Sequence, residues 1–167
     1  MFDSEKTVRC SKEILDVEIV RTDLQSPVAQ VLIAKLNAEL EQIYPEDGAN
    51  FFRLELEEVE EGRGGFFVAY DVGIPIGCGA VRLIDRETAE IKRMFVAPDA
   101  RGRRLGRKIL DTLEAEARRL GVRRIVLETG PRQPDAIALY AHAGFSEIPL
   151  YGEYIGSLFS VCMAKDL

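Results

Sequence analysis

Residues Arg93–Leu110 read RMFVAPDARGRRLGRKIL. The run before Pro98 is strand-like, Pro98 opens a turn, and two glycines follow. Leu105, Ile109, Leu113, Ala117 and Leu120 then recur at helical spacing, which predicts a strand, a glycine turn and a helix over 103–120. Gly121 is the natural stop. Arg103, Arg104, Arg107 and Lys108 fall at the start of that helix. Backbone amides there already carry partial positive charge, so each added cation costs ~0.3–1 kcal/mol. An anionic ligand reverses the balance, because helix-start amides point outward and glycine lets a ligand approach the backbone. A diphosphate fits that description, and a solvated basic helix face is the competing reading. RGRRLG matches neither GxxxxGK[ST] nor GxGxxG, which argues against a nucleoside-triphosphate loop and a dinucleotide fold.

The rest of the composition sharpens this. Residues 93–108 hold six cations and one acid, Asp99, on a chain of net charge −6, so the remainder carries −11. A compact positive site on an acidic body suits a small anion better than a long polyanion, and nucleic acid is not an expected partner. The 167 residues fit one domain, 1–167, with 1–15 as an N-terminal extension. That start, MFDSEKTVRCSKEIL, has charges where a signal peptide needs an apolar stretch. No apolar run approaches the ~18 residues of a membrane span, so a cytoplasmic protein without a membrane partner is expected. Cys10, Cys78 and Cys162 lie far apart, no CxxC occurs, and His142 has no ligand cluster near it, which predicts no metal site. Cys78 and Cys162 read as small core residues.

Along the chain, Asp16–Arg21 is a first strand, and Ser26-Pro27 supplies an N-cap and a first helical residue. Val28, Val31, Leu32, Leu36, Leu40 and Ile43 give the following helix one apolar face, ended by Pro45. Residues 46–65 are acidic, and LELEEVEEG reads as a short helix or a strand. Phe66–Asp71 and Ile74–Ile84 are strands joined by a Val72-Gly73 turn, with Gly77 and Gly79 permitting a bulge or a close approach. Ala89–Val96 and Arg124–Glu128 are further strands, the second a nearly continuous apolar run as expected when both faces are covered. Asp135–Ala143 is a short helix ended by Gly144, and Phe145–Ile148 and Ser157–Ala164 are the last strands. This order is an α/β domain with a mixed sheet.

Two blocks resemble the GCN5-related N-acetyltransferases. That family's signature is arginine or glutamine, two residues, glycine, one residue, then glycine or alanine. Here it reads Arg101, Gly102, Arg103, Arg104, Leu105, Gly106, with Arg104 in the slot that is usually glycine. The second block, QPDAIALYAHAGF, is similar to N-x-x-A-x-x-L-Y-x-x-x-G-F through Ala136, Leu139, Tyr140, Gly144 and Phe145, with Gln133 where asparagine is common. The blocks stand in the family's order with a strand between them, and the resemblance covers about 66–164. It implies a mixed, mostly antiparallel twisted sheet of six to seven strands flanked by about four helices.

It also implies the chemistry. Acetyl-CoA is the expected co-substrate, its diphosphate on the amides of 101–107 with Arg101, Arg103, Arg104 or Arg107 adding charge-assisted bonds. The pantetheine arm is expected along Met94, Phe95 and Val96, near Gln133, and an amide of that segment would polarise the thioester carbonyl. Leu105 and Gly106 complete the cradle. Glu90 is the candidate base, with a structural carboxylate as the competing reading, and Tyr140 is the candidate acid for the departing thiolate, against a core aromatic. Helix-face geometry sets His142 apart as a surface or packing residue. The acceptor wall is expected from 36–65 and 147–158. Tyr151, Glu153 and Tyr154 combine rings with a carboxylate there, whereas Glu55, Glu57, Glu58, Glu60 and Glu61 read first as a solvated face. The resemblance leaves a homodimer through the C-terminal strands open. The expected reaction is acetyl transfer to a primary amine of a small molecule by direct attack in a ternary complex. A protein N-terminus or lysine as acceptor, and a coenzyme A-binding regulatory module without turnover, are the competing readings.

Overall fold

The computed structural model describes residues 16–46 and 53–167; the N-terminal extension, Cys10 and part of the acidic stretch lie outside them. Seven strands form one sheet: β1 (Val17–Arg21), β2 (Gly64–Asp71), β3 (Ile74–Leu83), β4 (Thr88–Val96), β5 (Arg124–Thr129), β6 (Ser146–Ile148) and β7 (Val161–Asp166). Their spatial order is β1-β2-β3-β4-β5-β7-β6, and every pairing is antiparallel except β4 with β5. Three α-helices occur among the described residues, where about four were expected: α1 (Pro27–Ile43), α2 (Leu105–Arg119) and α3 (Pro134–His142). LELEEVEEG yields only a 3₁₀ turn at Leu56–Val59, its start held by reciprocal bonds between Glu55 and Glu58. None of the described helices is long and apolar enough to cross a membrane.

Helices cover both faces, which is why the central strands read as continuous apolar runs. On β2 the alternation sends Phe66 and Val68 to one face and Phe67 and Ala69 to the other. The first pair packs with Ala29, Leu32 and Leu36 of α1, and the second with Leu105, Ile109, Leu113 and Ala117 of α2. Ser26 caps α1 as its sequence predicts, its Oγ accepting from the Ala29 amide at 3.3 Å. Val31, expected on the apolar face, is exposed, because the buried stripe centres on Ala29, Leu32 and Leu36. Val72 and Gly73 turn β2 into β3 with positive φ at both residues (47° and 77°), the geometry a two-residue hairpin demands. The last strand begins at Val161 rather than Ser157, since Ser157–Ser160 closes on itself: the Ser157 Oγ accepts from the Phe159 amide and lies 2.9 Å from the Ser160 Oγ.

Two backbone features shape the site. β4 carries one residue too many opposite β3: Cys78 pairs with Phe95 but Ala80 pairs with Lys92. Arg93 takes a φ of 56° at this bulge. Of the two roles the sequence allowed the β3 glycines, a bulge or a close approach, they take the second, since the extra residue lies on β4 opposite Gly79. A Cβ on Gly77 would lie 2.6 Å from the Phe95 carbonyl oxygen of β4 and 3.0 Å from Ile109, and one on Gly79 would lie 2.8 Å from Leu113 and 2.9 Å from Ile109, so Gly77 lets β4 pass close and both let α2 settle onto β3. The parallel β4–β5 pairing stops at Ile91↔Leu127, just before the bulge, while β5 continues against β7 at Glu128↔Cys162 and Thr129↔Val161. Beyond Ile91 the two strands therefore part. The second feature is Arg104, which precedes α2 at φ 60°, ψ 22°. This left-handed residue ends the turn, so the helix begins at Leu105 and not at Arg103.

Gly77→Ala is expected to lower unfolding free energy by about 1–3 kcal/mol, the usual cost of overpacking, measurable by denaturant titration. Arg104→Gly is expected to raise it by up to about 1 kcal/mol, because glycine takes the left-handed conformation without a Cβ penalty. An unchanged denaturation midpoint would show that the loop is not strained there.

Candidate active site

A groove of about 650 Å³ runs from the start of α2 along the free edge of β4 to α3. Every residue predicted to contact the donor lines it except Arg103: Met94, Phe95, Val96, Arg101, Gly102, Arg104, Leu105, Gly106, Arg107 and Gln133. Arg103 turns away, its Nη1 donating to Asp71 Oδ2 at 3.0 Å at the end of β2, so it braces the loop rather than facing the groove. The charge conflict at the helix start is relieved locally at most positions. Arg101 forms a two-pronged pair with Glu39 (2.8 and 2.6 Å) and donates through Nε to the Val96 carbonyl. Arg107 pairs with Asp111, and Lys108 donates to the Val17 carbonyl.

These residues fit a diphosphate. The residue before α2 contributes no side-chain cap, so the amides of the first turn are not consumed by the protein's own side chains. Gly102, at φ 78°, presents open space where a Cβ would stand. Along β4, the Ala97 amide donates to Ile76 of β3, so by strand alternation the Val96 and Met94 amides turn toward the groove. The groove thus offers an anion cradle at one end and an extended-chain edge beside it.

Its far end opens into a smaller cavity of about 130 Å³, set in the fork between β4 and β5. Leu36, Met94, Gln133, Ala136 and Tyr140 line both spaces. Tyr140 is buried and donates its hydroxyl to Met94 Sδ at 3.6 Å, and Phe145 packs edge-on against its ring. Burial lifts its pKa above the usual tyrosine range, so it keeps its proton at neutral pH. Tyr44 closes another side and accepts from the Arg132 amide at 3.0 Å. Gly130 is required beneath it, since a Cβ there would fall 1.8 Å from the Tyr44 oxygen. Arg132 stacks over both Tyr44 and Phe159, at 5.2 and 5.6 Å.

The carboxylates divide unexpectedly. Glu90, the predicted base, is fully enclosed and does not line the cavity. Arg82 donates to its Oε1 at 2.8 Å and the Tyr151 hydroxyl to its Oε2. Glu128, at the end of the apolar strand RIVLE, does line the cavity. Burial pushes its carboxyl up to about 7, with Glu90 and Glu153 adding to the rise and the Ser160 hydroxyl and Lys92 opposing it. The sequence held the signal, a charged residue closing an otherwise apolar strand, but not its burial. Of the predicted acceptor residues, Tyr154 faces the cavity, while Tyr151 and Glu153 hold the β6–β7 connector from behind. Glu153 does so by accepting from Lys92 at 3.3 Å. Burial and Glu90 raise the pKa of both tyrosines. His142 is exposed, its Nδ1 2.7 Å from the Ala138 carbonyl. Cys78 and Cys162 are buried free thiols in the sheet, Cys78 pushed up to about 12 by burial and so a poor nucleophile.

The sequence model of the Acetyltransferase (GNAT) family matches residues 32–145. An IAA acetyltransferase of Azospirillum brasilense is 39% identical over 155 residues, spanning 91% of this chain and 99% of the relative. A Klebsiella pneumoniae crystal structure assigned as an acyl-CoA N-acyltransferase superposes with a TM-score of 0.78 at 31% identity, covering 90% of this chain and 97% of that one. The fold recurs at 20% identity in a GNAT family acetyltransferase from Elizabethkingia anophelis with acetyl-CoA bound (TM-score 0.65, 90% or more of both chains). Sequence blocks, forked sheet and uncapped helix start converge with these likenesses: the chain belongs to the GNAT family and is an acetyl-CoA-dependent acetyltransferase.

Proposed function

We propose that this enzyme acetylates the primary amine of a small molecule, by direct attack on the thioester while donor and acceptor are bound together. The observation that carries this reading is the junction of the two spaces. A donor laid along the groove brings its thioester to Met94 and Tyr140, and the adjoining cavity of about 130 Å³ has room for a small group but not for folded polypeptide. The likeness to the Azospirillum IAA acetyltransferase, which extends over nearly the whole of both chains, supports a small acceptor.

The chain's residues divide the work. The first-turn amides of α2, with Arg101, Arg104 and Arg107, hold the diphosphate. The outward amides of Met94 and Val96 pair with the pantetheine arm and polarise the thioester carbonyl, where negative charge gathers during attack. Tyr140, which keeps its proton, hydrogen-bonds the departing sulfur; its hydroxyl already donates to a sulfur, that of Met94. Tyr44, Tyr154 and Phe159 enclose the acceptor, and Lys92 with Glu153 fixes the wall behind it.

Thiol release from acetyl-CoA across a panel of small primary amines and lysine-bearing peptides tests the reading. Small amines are expected to turn over and peptides not; turnover confined to peptide amino groups would replace it, and coenzyme A binding without turnover would point to a regulatory module. Tyr140→Phe is expected to lower kcat by roughly a hundredfold, at the low end of what a positioned proton donor contributes, with the coenzyme A dissociation constant nearly unchanged.

A further inference from the structure

We propose that Glu128 of β5 accepts the proton of the acceptor amine, directly or through one water, and that Glu90 is a positioning residue behind it. This assignment rests on the cavity in the β4–β5 fork being the acceptor site.

Placement comes first. β4 and β5 pair as far as Ile91↔Leu127, so Glu128 is the first β5 residue beyond the fork and lines the cavity together with Met94 and Tyr140. Attack on a thioester lying beside those two residues brings the nitrogen to the Glu128 side of the same small space. Access comes second. A base must return its proton to water in every turnover. Glu128 is half-buried, whereas Glu90 is fully enclosed with its oxygens held by Arg82 and Tyr151. Arg82 in turn pairs with Glu58, which closes that side of Glu90.

Environment comes third. Glu90 pairs with Val126, two residues before Glu128, so both glutamates stand on one face of the sheet. Glu90 and Lys92 of β4, and Glu153 and the Ser160 hydroxyl of the connector, act on Glu128 directly. Tyr44, Arg93, Tyr140, Tyr154 and Cys162 also feel its charge. The balance leaves the carboxyl near 7, where it accepts a proton at neutral pH and gives it back readily. Glu90 thus serves twice. Its bond to Tyr151 anchors the acceptor wall, and its negative charge keeps Glu128 from ionising too easily.

The protons balance. An ammonium acceptor loses one proton to Glu128 and thence to water, and the freed lone pair forms the new C–N bond as the C–S bond breaks. The nitrogen sheds a second proton by the same route, the departing sulfur gains one, and one proton is released per turnover. The rate should therefore rise with pH as Glu128 ionises.

The test is the pH dependence of kcat/KM on the best small amine of the panel, with coenzyme A affinity measured for each variant as a check of the fold. The wild type is expected to show an acidic limb near pH 7. Glu128→Gln should remove that limb and lower kcat on the order of a hundredfold to a thousandfold, and Glu128→Asp should restore the limb at reduced rate. Glu90→Gln should keep turnover, move the limb to lower pH and raise the acceptor KM, while Lys92→Met should move it to higher pH. Carbon-13 spectra of glutamate carboxyls give a readout without any acceptor: one carboxyl should titrate near neutrality and vanish in Glu128→Gln, and its absence overturns the assignment. So does a Glu128→Gln enzyme with wild-type rate and limb, or abolition of turnover by Glu90→Gln alone. Failure of the acceptor reading looks different: peptides would replace small amines as substrates while sensitivity to Glu128→Gln persisted.

Discussion

The parting of β4 from β5 is the constraint on which the rest depends. A parallel pair that continued past Ile91↔Leu127 would satisfy its own backbone groups and leave no edge for a ligand. The bulge at Arg93 changes the course of β4 at that point, and β7 keeps β5 on its own course. The outcome is a strand edge exposed inside the molecule rather than at its rim. Groove, cavity and the outward turn of the Met94 and Val96 amides all follow from that fork.

The second organising force is electrostatic compensation. Cations crowd the start of α2, yet Arg101, Arg103 and Arg107 each have a carboxylate partner, in Glu39, Asp71 and Asp111. The helix end is thus tolerable before a ligand arrives. Glu39 stands on α1 and lines the groove with Arg101, so their pair ties α1 to the loop before α2. Arg132 makes a comparable tie between the segment before α3 and the end of α1, donating to the Ile43 carbonyl and pairing with Glu46 just beyond the helix. Half-exposed pairs of this kind contribute little stability each, but they fix where the walls of the groove stand.

Local chemistry was legible in the sequence wherever a residue type dictates its own backbone. Ser26-Pro27 announces α1, Val72-Gly73 the hairpin, Gly121 the end of α2, and the loop before α2 follows from its proline and glycines. What stayed hidden depends on partners distant in the chain. Nothing about an arginine signals a positive φ, so the bulge at Arg93 could not be read locally, and at Arg104 the sign lay only in its standing where the family motif usually has glycine. Arg103 looks like its neighbours until Asp71, 32 positions away, is brought beside it. Glu90 and Glu128 are both glutamates on apolar strands; only the tertiary fold encloses one and leaves the other facing a cavity.

The β6–β7 connector is pinned to the sheet by four side chains: Tyr151 and Tyr154 to Glu90, Glu153 to Lys92, and Ser160 to Glu128. Between the pins, Ile155 and Leu158 stand in solvent, 72% and 86% exposed. The wall of the cavity proposed for the acceptor is therefore a fastened frame with a free rim. Substitutions at the rim change the surface beside that cavity without loosening the fastenings, so on the proposed reading this surface can vary while the groove stays unchanged.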